Sequence, residues 1–355
     1  MSEGPVVEEM ETLVRLSRIV TRIPYQELCD VLRDVFLKLG FEPGRAGLCA
    51  RLFTDSSRDG VYSHGLNRFP RFIEMIKRRV IDIHAAPKLN GSFGALERWD
   101  GMRGPGNLNA HASMERAILL SRRNGMGCVA LANTNHWMRG GSYGWQAADA
   151  GAIGICWTNT MPNLPPWGAS EPRLGNNPLV IAVPRAEGHV VLDMAMSQFS
   201  YGTLESYRMR GEQLPFAGGF DLKGELTRDP GAIEASGRPL PIGYWKGSGL
   251  ALMLDSLAAL LSGGNATFQI TPDSYEETAL SQVFLAFDLP SIEKDTIADR
   301  VTDQIIEFVL GAKTSGDQKV RYPGERTLEI RRQNLAEGIP VEAHIWRALQ
   351  EMSDA

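Results

Sequence analysis

Between Tyr25 and Leu39 the apolar residues Leu28, Val31, Leu32, Val35, Phe36 and Leu39 recur every three or four positions, and Gly40 follows them. An α-helix turns once per about 3.6 residues, so this spacing lines one face with hydrocarbon and predicts an amphipathic helix that stops at the glycine. The same pattern predicts a second helix from Pro43 toward Asp59 and a third from the His64 segment through Ile76, making the first hundred residues mainly helical. A further helix is expected from Asn109 to Asn124, with Met114, Ala117, Ile118 and Leu120 inward and Gly125 as its stop.

The pattern then changes period. Cys128 to Leu131, Ile153 to Trp157, Leu179 to Val183, Val190 to Met194 and Val283 to Phe287 are short apolar runs rich in β-branched residues, which predicts buried strands. A helix end between Ala147 and Gly151 separates two of them, and a longer helix from Trp245 to Leu261 follows the turn GYWKGSG. The stretch Gln213 to Gly243 is rich in Gly, Pro and charge and exceeds the usual connection of about 12 to 15 residues, so it reads either as a lid or binding loop or as a surface excursion. Helix periodicity returns from Ile297. The division expected is residues 1–110 as a mainly helical domain, 111–296 as a central α/β domain, and 297–355 as helices packing back on the first.

At 355 residues the chain suits roughly two compact units of about 150 residues each. Its 37 basic and 42 acidic residues give a net charge of -5, and Lys/Arg clusters stay as short as Lys77-Arg78-Arg79 and Arg331-Arg332, which argues against a nucleic-acid partner. The N-terminal string MSEGPVVEEMETLV is acidic where a secretory signal is positively charged, and the apolar run Leu250 to Leu261 is broken by Asp255 and Ser256. A cytoplasmic location with no membrane contact is expected. Cys29, Cys49, Cys128 and Cys156 lack C-x-x-C spacing and sit in apolar strings, so they read as buried thiols rather than nucleophiles.

Two segments carry candidate chemistry. In GVYSHGLNRFPRF, from Gly60 to Phe72, His64 can exchange a proton near neutrality and Arg68 can grip a carboxylate. A helical turn after Gly65 would aim both at one acidic substrate, whereas a solvated surface pair is the plain alternative. In ANTNHWMRGGSYGWQAA, from Ala132 to Ala148, His136 and Arg139 precede two glycines and a helix start, whose bare N–H groups can hold a carboxylate or phosphate. An ordinary turn is the other reading. GMGCVA, from Gly125 to Ala130, matches G-x-G-x-x-A but follows a helix and enters a strand, the reverse of a dinucleotide fingerprint. No P-loop and no H-E-x-x-H is present, and no ligand spacing links the histidines to Asp193, so no metal is expected. Trp137, Trp145, Trp157, Trp167 and Trp245 either line a pocket or pack in the core, and Lys246 either neutralises a pyrophosphate or carboxylate or lies on the surface.

GVYSHGLNRFPRF, NHWMRGGSYGWQAA, GAIGICWTNT, PPWGA, NNPLVIAVP, LDMAMSQFSYG and GYWKGSGLALMLD, in this order, resemble the malate/L-lactate/sulfolactate dehydrogenase family. The resemblance covers the chain from about Tyr25 onward. It implies a mixed α/β fold: a non-Rossmann NAD-binding domain with a largely antiparallel sheet flanked by helices, and a helical domain built from the N- and C-terminal parts. It implies a homodimer and an NADH-dependent reductase of 2-oxo or 2,3-dioxo sugar acids, with NADPH as the alternative cofactor. His64 is then the proton donor, Arg68 the carboxylate grip, and Asn135 and His136 the groups that orient the carbonyl. Cofactor contacts are implied at His189, Val190, Val191, Leu192, Asp193, Met194 and Ala195, at Trp245 and Lys246, and at Gly324, Glu325 and Arg326. The chain departs from the family pattern in the residues before Tyr25, in a longer loop between Pro184 and Val191, and in Glu325-Arg326, where the pattern has His-Glu. Other readings are a dehydrogenase of malate, lactate or sulfolactate, a cyclic imine reductase, a metal-dependent hydrolase or lyase using His64 and His136, and a sugar-acid binder without catalysis.

Overall fold

The computed structural model describes residues 20–273, 275–292, 297–316 and 319–354. The extension before the first helix lies largely outside the described residues. The chain divides into two compact units, a smaller one made of its two ends, up to Ile73 and from Glu325, and a larger one from Glu74 to Gly324.

In the smaller unit, β1 (Val20–Ile23) leads into α1 (Tyr25–Lys38), which buries Leu28, Leu32, Val35 and Phe36 from the expected stripe. Helix α2 (Pro43–Arg58) opens with a proline, which has no N–H to leave unsatisfied. The Glu42 carboxylate before it accepts from the N–H groups of Gly44 and Arg45 at 3.0 and 3.1 Å. Phe36, Phe41, Phe53, Phe69 and Phe72 form one aromatic core, with neighbouring rings 5.0 to 6.1 Å apart. The third expected helix is interrupted. Two single 3-10 turns, Tyr62–His64 and Leu66–Arg68, precede α3 (Phe69–Lys77).

The larger unit is built on β2 (Lys88–Phe93), β3 (Leu96–Asp100), α4 (Gly106–Asn124), β4 (Met126–Thr134), α5 (Gly141–Asp149), β5 (Ala152–Thr158), β6 (Leu179–Val183) and β7 (Val190–Met194). It continues with α6 (Tyr201–Arg210), α7 (Pro230–Ser236), α8 (Trp245–Ser262), β8 (Leu280–Asp288) and α9 (Ile297–Leu310). Its seven-stranded sheet has the order β2-β3-β4-β8-β5-β6-β7, and every pairing except β3 with β4 is antiparallel. Alternate residues of central strand β8 face opposite ways. Val283 packs with Cys128, Ala130 and Trp157 against Ala251, Leu254 and Ala258 of α8, while Phe284 meets the rings of Trp137 and Tyr143 at 6.1 and 6.0 Å on the other face.

Gly127 explains the false fingerprint: α4 precedes β4, and a Cβ at 127 would stand 2.1 Å from the Ala117 carbonyl oxygen, so the glycine lets helix and strand approach. The hairpin β2–β3 adds strand where the sequence suggested helix, and α9 stays with the larger unit, so the compact units divide at Ile73 and Gly324 rather than at 110 and 296. Residues 213–243 carry the strand pair Gly219–Phe220 and Leu226–Thr227 and helix α7, with a satellite core of Leu204, Leu214 and Ile233.

The chain ends in α10 (Glu325–Glu337), β9 (Ile339–Glu342) and α11 (Ala343–Asp354), back in the smaller unit. Strand β9 pairs antiparallel with β1, from Val20 opposite Glu342 to Ile23 opposite Ile339. Arg331 holds Asp59 through two hydrogen bonds of 2.7 Å, and the Asn334 amide donates to the Arg58 carbonyl at 2.8 Å.

Candidate functional site

In the smaller unit His64 ends the first 3-10 turn, half-buried, with its Nδ1 2.9 Å from the Ser63 hydroxyl. The turn is fixed from below: the Ser57 hydroxyl accepts from the Leu66 N–H at 3.0 Å, and a Cβ on Gly65 would lie 2.2 Å from that same oxygen. Gly65, at φ -103 and ψ -124, separates the turns of His64 and Arg68, so their spacing of four is not one turn of an α-helix. Arg68 ends the second turn, half-buried. Glu325 and Arg326 open α10, where an acidic first turn suits the positive end of the helix dipole.

The larger unit holds the remaining candidates. Strand β4 carries one extra residue against β8, between the pairs Leu280–Thr134 and Gln282–Leu131, and this bulge places Asn133 at φ 52. The facing loop is bent as sharply, with Met102 and Arg103 both at φ 53. The Asp100 carboxylate ties the two together, accepting from the Met102 N–H at 2.7 Å and the Asn133 amide at 3.0 Å. Left-handed conformations of such side-chain-bearing residues cost about 1 kcal/mol or more each and cluster at functional sites.

Asn135 follows the bulge fully buried, its Nδ2 donating to the carbonyls of Arg103 and Gly104 at 2.7 and 3.0 Å. Its amide nitrogen therefore pins the loop, while Oδ1 has no hydrogen-bond partner among the described residues. His136 is half-buried, and its Nδ1 accepts from the Met138 N–H at 3.0 Å, so the neutral ring carries its proton on Nε2. Helix α4 presses on this peptide: a Cβ on Gly106 would lie 2.2 and 2.3 Å from the Asn135 and His136 carbonyl oxygens.

The N-terminus of α5, expected to receive an external anion, is occupied by the protein's own Asp193. Its Oδ2 accepts from the Gly141 N–H at 2.8 Å. The residue is exposed, yet desolvation around its carboxyl pushes it up against the opposing pull of Arg139 and the Gly141 N–H.

The expected cofactor segments of this unit are contiguous. Along edge strand β7, the Val191 N–H donates to Pro323 at 2.9 Å at one end, and beyond the other end the Ile242 N–H donates to Met196 at 2.8 Å, leading to Trp245 and Lys246. Gly324, at φ 99, fits closely, because a Cβ there would lie 3.0 Å from the His189 oxygen. Trp245 and Lys246 are exposed at the start of α8, offering a ring face and a cation. The His189 ring is engaged, with Nδ1 accepting from the Arg185 N–H at 3.0 Å and Nε2 2.9 Å from Asp149, so its side chain closes the β6–β7 hairpin. Of the five central tryptophans, Trp137, Trp145 and Trp157 are core, whereas Trp167 and Trp245 are exposed. Burial pushes the Cys128 thiol up to about 12 and Cys156 well above its ordinary value, so neither is a ready nucleophile. Sequence reading passed over Gly106, Ser57 and Gln282; the only signals were Gly-Pro-Gly before α4 and a glutamine inside an apolar strand.

The sequence profile of the family described as Malate/L-lactate dehydrogenase matches residues 23–350. A 2,3-diketo-L-gulonate reductase of Escherichia coli O6:K15:H31 is 44% identical over 332 residues, covering 93% of this chain and 100% of the relative. Among solved structures, a sulfolactate dehydrogenase from Methanocaldococcus jannaschii superposes with a TM-score of 0.87 at 27% identity, covering 94% of this chain and 97% of the other. A delta1-piperideine-2-carboxylate reductase from Pseudomonas syringae does so with a TM-score of 0.83 at 28% identity, covering 94% and 99%.

Proposed function

The chain belongs to the malate/L-lactate dehydrogenase family, and from that premise we propose that it reduces 2,3-diketo-L-gulonate to 3-dehydro-L-gulonate with NADH. The observation that carries the substrate is the 44% identity to a 2,3-diketo-L-gulonate reductase along that relative's whole length, against 27 and 28% for the sulfolactate and imine enzymes.

His64, held by its 3-10 turn and the Ser63 hydroxyl, gives the proton to the carbonyl oxygen. Arg68 grips the substrate carboxylate through its forked guanidinium. His136, with its proton fixed on Nε2, donates a hydrogen bond that orients the acid. The cofactor would be held by the His189–Ala195 segment, Trp245, Lys246, Gly324, Glu325 and Arg326; the contiguity of those in the larger unit along β7, and the exposed cation and ring of Lys246 and Trp245, fit a dinucleotide. NADH when bound supplies hydride to the carbonyl carbon. NADPH is the alternative cofactor. The partner is a second copy of the chain, covering the apolar side chains that α8 exposes, Met253, Leu257 and Leu260 among them. Its site of action is proposed to be the cytoplasm; no helix among the described residues is long and apolar enough to cross a membrane.

The test is NADH oxidation by the purified protein with 2,3-diketo-L-gulonate and a panel of 2-oxo acids and cyclic imines, with and without chelator. Turnover that survives chelation is expected and rules out the metal-dependent hydrolase or lyase; absence of NADH-linked turnover on any substrate sinks the reductase. His64→Ala is expected to lower kcat about 100-fold or more with NADH binding retained.

A further inference from the structure

Gln282 lies near the start of β8, the central strand of the sheet, fully buried between Leu280 and Phe284. A hydrophobic residue would suit that position better, since burying an amide is unfavourable unless every polar atom is matched. The match is incomplete: Nε2 donates to the Asn135 carbonyl oxygen at 3.3 Å, while Oε1 has no hydrogen-bond partner among the described residues. Position 282 is also where the β4 bulge ends, so this amide meets β4 at the place where the strand leaves the sheet toward His136. The Asn135–His136 peptide is then fixed from three sides, by Gln282 on the Asn135 oxygen, by Gly106 packed against both carbonyls, and by the Asn135 amide anchored on residues 103 and 104. His136 is in turn locked by the Met138 N–H.

We infer that Gln282 is a positioning residue, whose hydrogen bond to the Asn135 carbonyl sets the direction of the His136 ring for the substrate. The inference rests on the proposed role of His136 in reduction. It explains why an imperfectly satisfied amide is kept in the core: hydrocarbon at 282 would remove the unmatched oxygen but also take the donor from the buried Asn135 carbonyl, so the two effects on stability oppose each other while the support of the loop is lost. A residue serving stability has the opposite signature, so the two are separable.

The experiment compares wild type, Gln282→Leu and Gln282→His in the full-length protein. Gln282→Leu is expected to change Tm little, leave the KM for NADH unchanged, and lower kcat/KM for the acid about tenfold or more, as loss of an outer support does. Gln282→His, which restores an N–H donor, is expected to recover part of that loss. Hydrogen exchange of the backbone at residues 133–140 is expected to quicken in the leucine variant, and this needs no turnover. Unchanged kcat/KM, or loss of activity only in step with a lower Tm, overturns the inference, as does unchanged exchange at 133–140. If wild type itself shows no NADH-linked reduction, the functional reading fails, and the exchange measurement still decides whether Gln282 holds the loop.

Discussion

Gly106→Ala adds one methyl group where helix α4 meets the Asn135–His136 peptide. The new Cβ would stand 2.2 Å from the Asn135 oxygen, 2.3 Å from the His136 oxygen and 2.5 Å from the Asn135 carbonyl carbon. An unstrained carbon–oxygen contact is about 3.3 Å or longer, so helix and peptide must separate by about 1 Å. Such overpacking costs about 1–3 kcal/mol, part of which the better helix propensity of alanine returns, at most about 1 kcal/mol. Stability should therefore fall by no more than about 3 kcal/mol. A displacement of about 1 Å in a positioning element can cost roughly 100-fold in rate. The expected outcome is a loss in kcat/KM for the acid far larger than the fall in Tm accounts for, measured by NADH oxidation beside a thermal melt. Gly127→Ala is the control: its Cβ would meet the Ala117 oxygen at 2.1 Å, an equally hard clash on the same helix but remote from His136, so it should lower Tm and spare the activity of the folded fraction. If Gly106→Ala keeps kcat/KM within about threefold of wild type, or if both variants lose activity alike, the reasoning is refuted.

Arg68→Ala should raise KM for the acid with a smaller effect on the KM for NADH; normal acid affinity in steady-state kinetics would remove its role. Arg331→Leu strips a bidentate partner from Asp59, whose side chain is 1% exposed, and should lower stability by about 3 kcal/mol in chemical denaturation. Arg58 also reaches Asp59 at 2.7 Å and keeps its charge paired, so that figure is the upper bound of the loss. The Arg116 guanidinium beside buried Glu97 holds its carboxyl below the usual carboxylate range, despite the opposing effect of burial. A depressed acid stabilises the fold above its unfolded value and loses that contribution as pH falls through the lower folded value, so wild type should weaken in acid. Arg116→Leu should be less stable at neutral pH and show a flatter acid limb in melts followed against pH.

The helices α1 and α8 and the strands β5, β6 and β7 were legible because each buries a face whose period repeats along the chain. The hairpin β2–β3 was not, because nearly every residue of β2 is exposed, leaving no alternation to read. The break at Gly65 was hidden for another reason: the residue that forbids a side chain there, Ser57, sits on a different helix. Likewise Asp193 and Gly141 are far apart in sequence, so the anion filling the α5 N-terminus was read as a ligand still to come.

What the sequence determined by itself is the set of chemical groups and the family, since His64, Arg68, His136 and the strings around them identify both without any contact being known. Tertiary structure alone decided which groups are available. The Asn135 amide nitrogen holds two backbone carbonyls, the His189 ring holds the Arg185 N–H and meets Asp149, Gly106 packs on the Asn135–His136 peptide, Gln282 reaches the Asn135 carbonyl, and Asp193 becomes the internal partner of a helix end. Hydrogen bonding and close packing depend on neighbours distant along the chain, and local spacing carries no record of them.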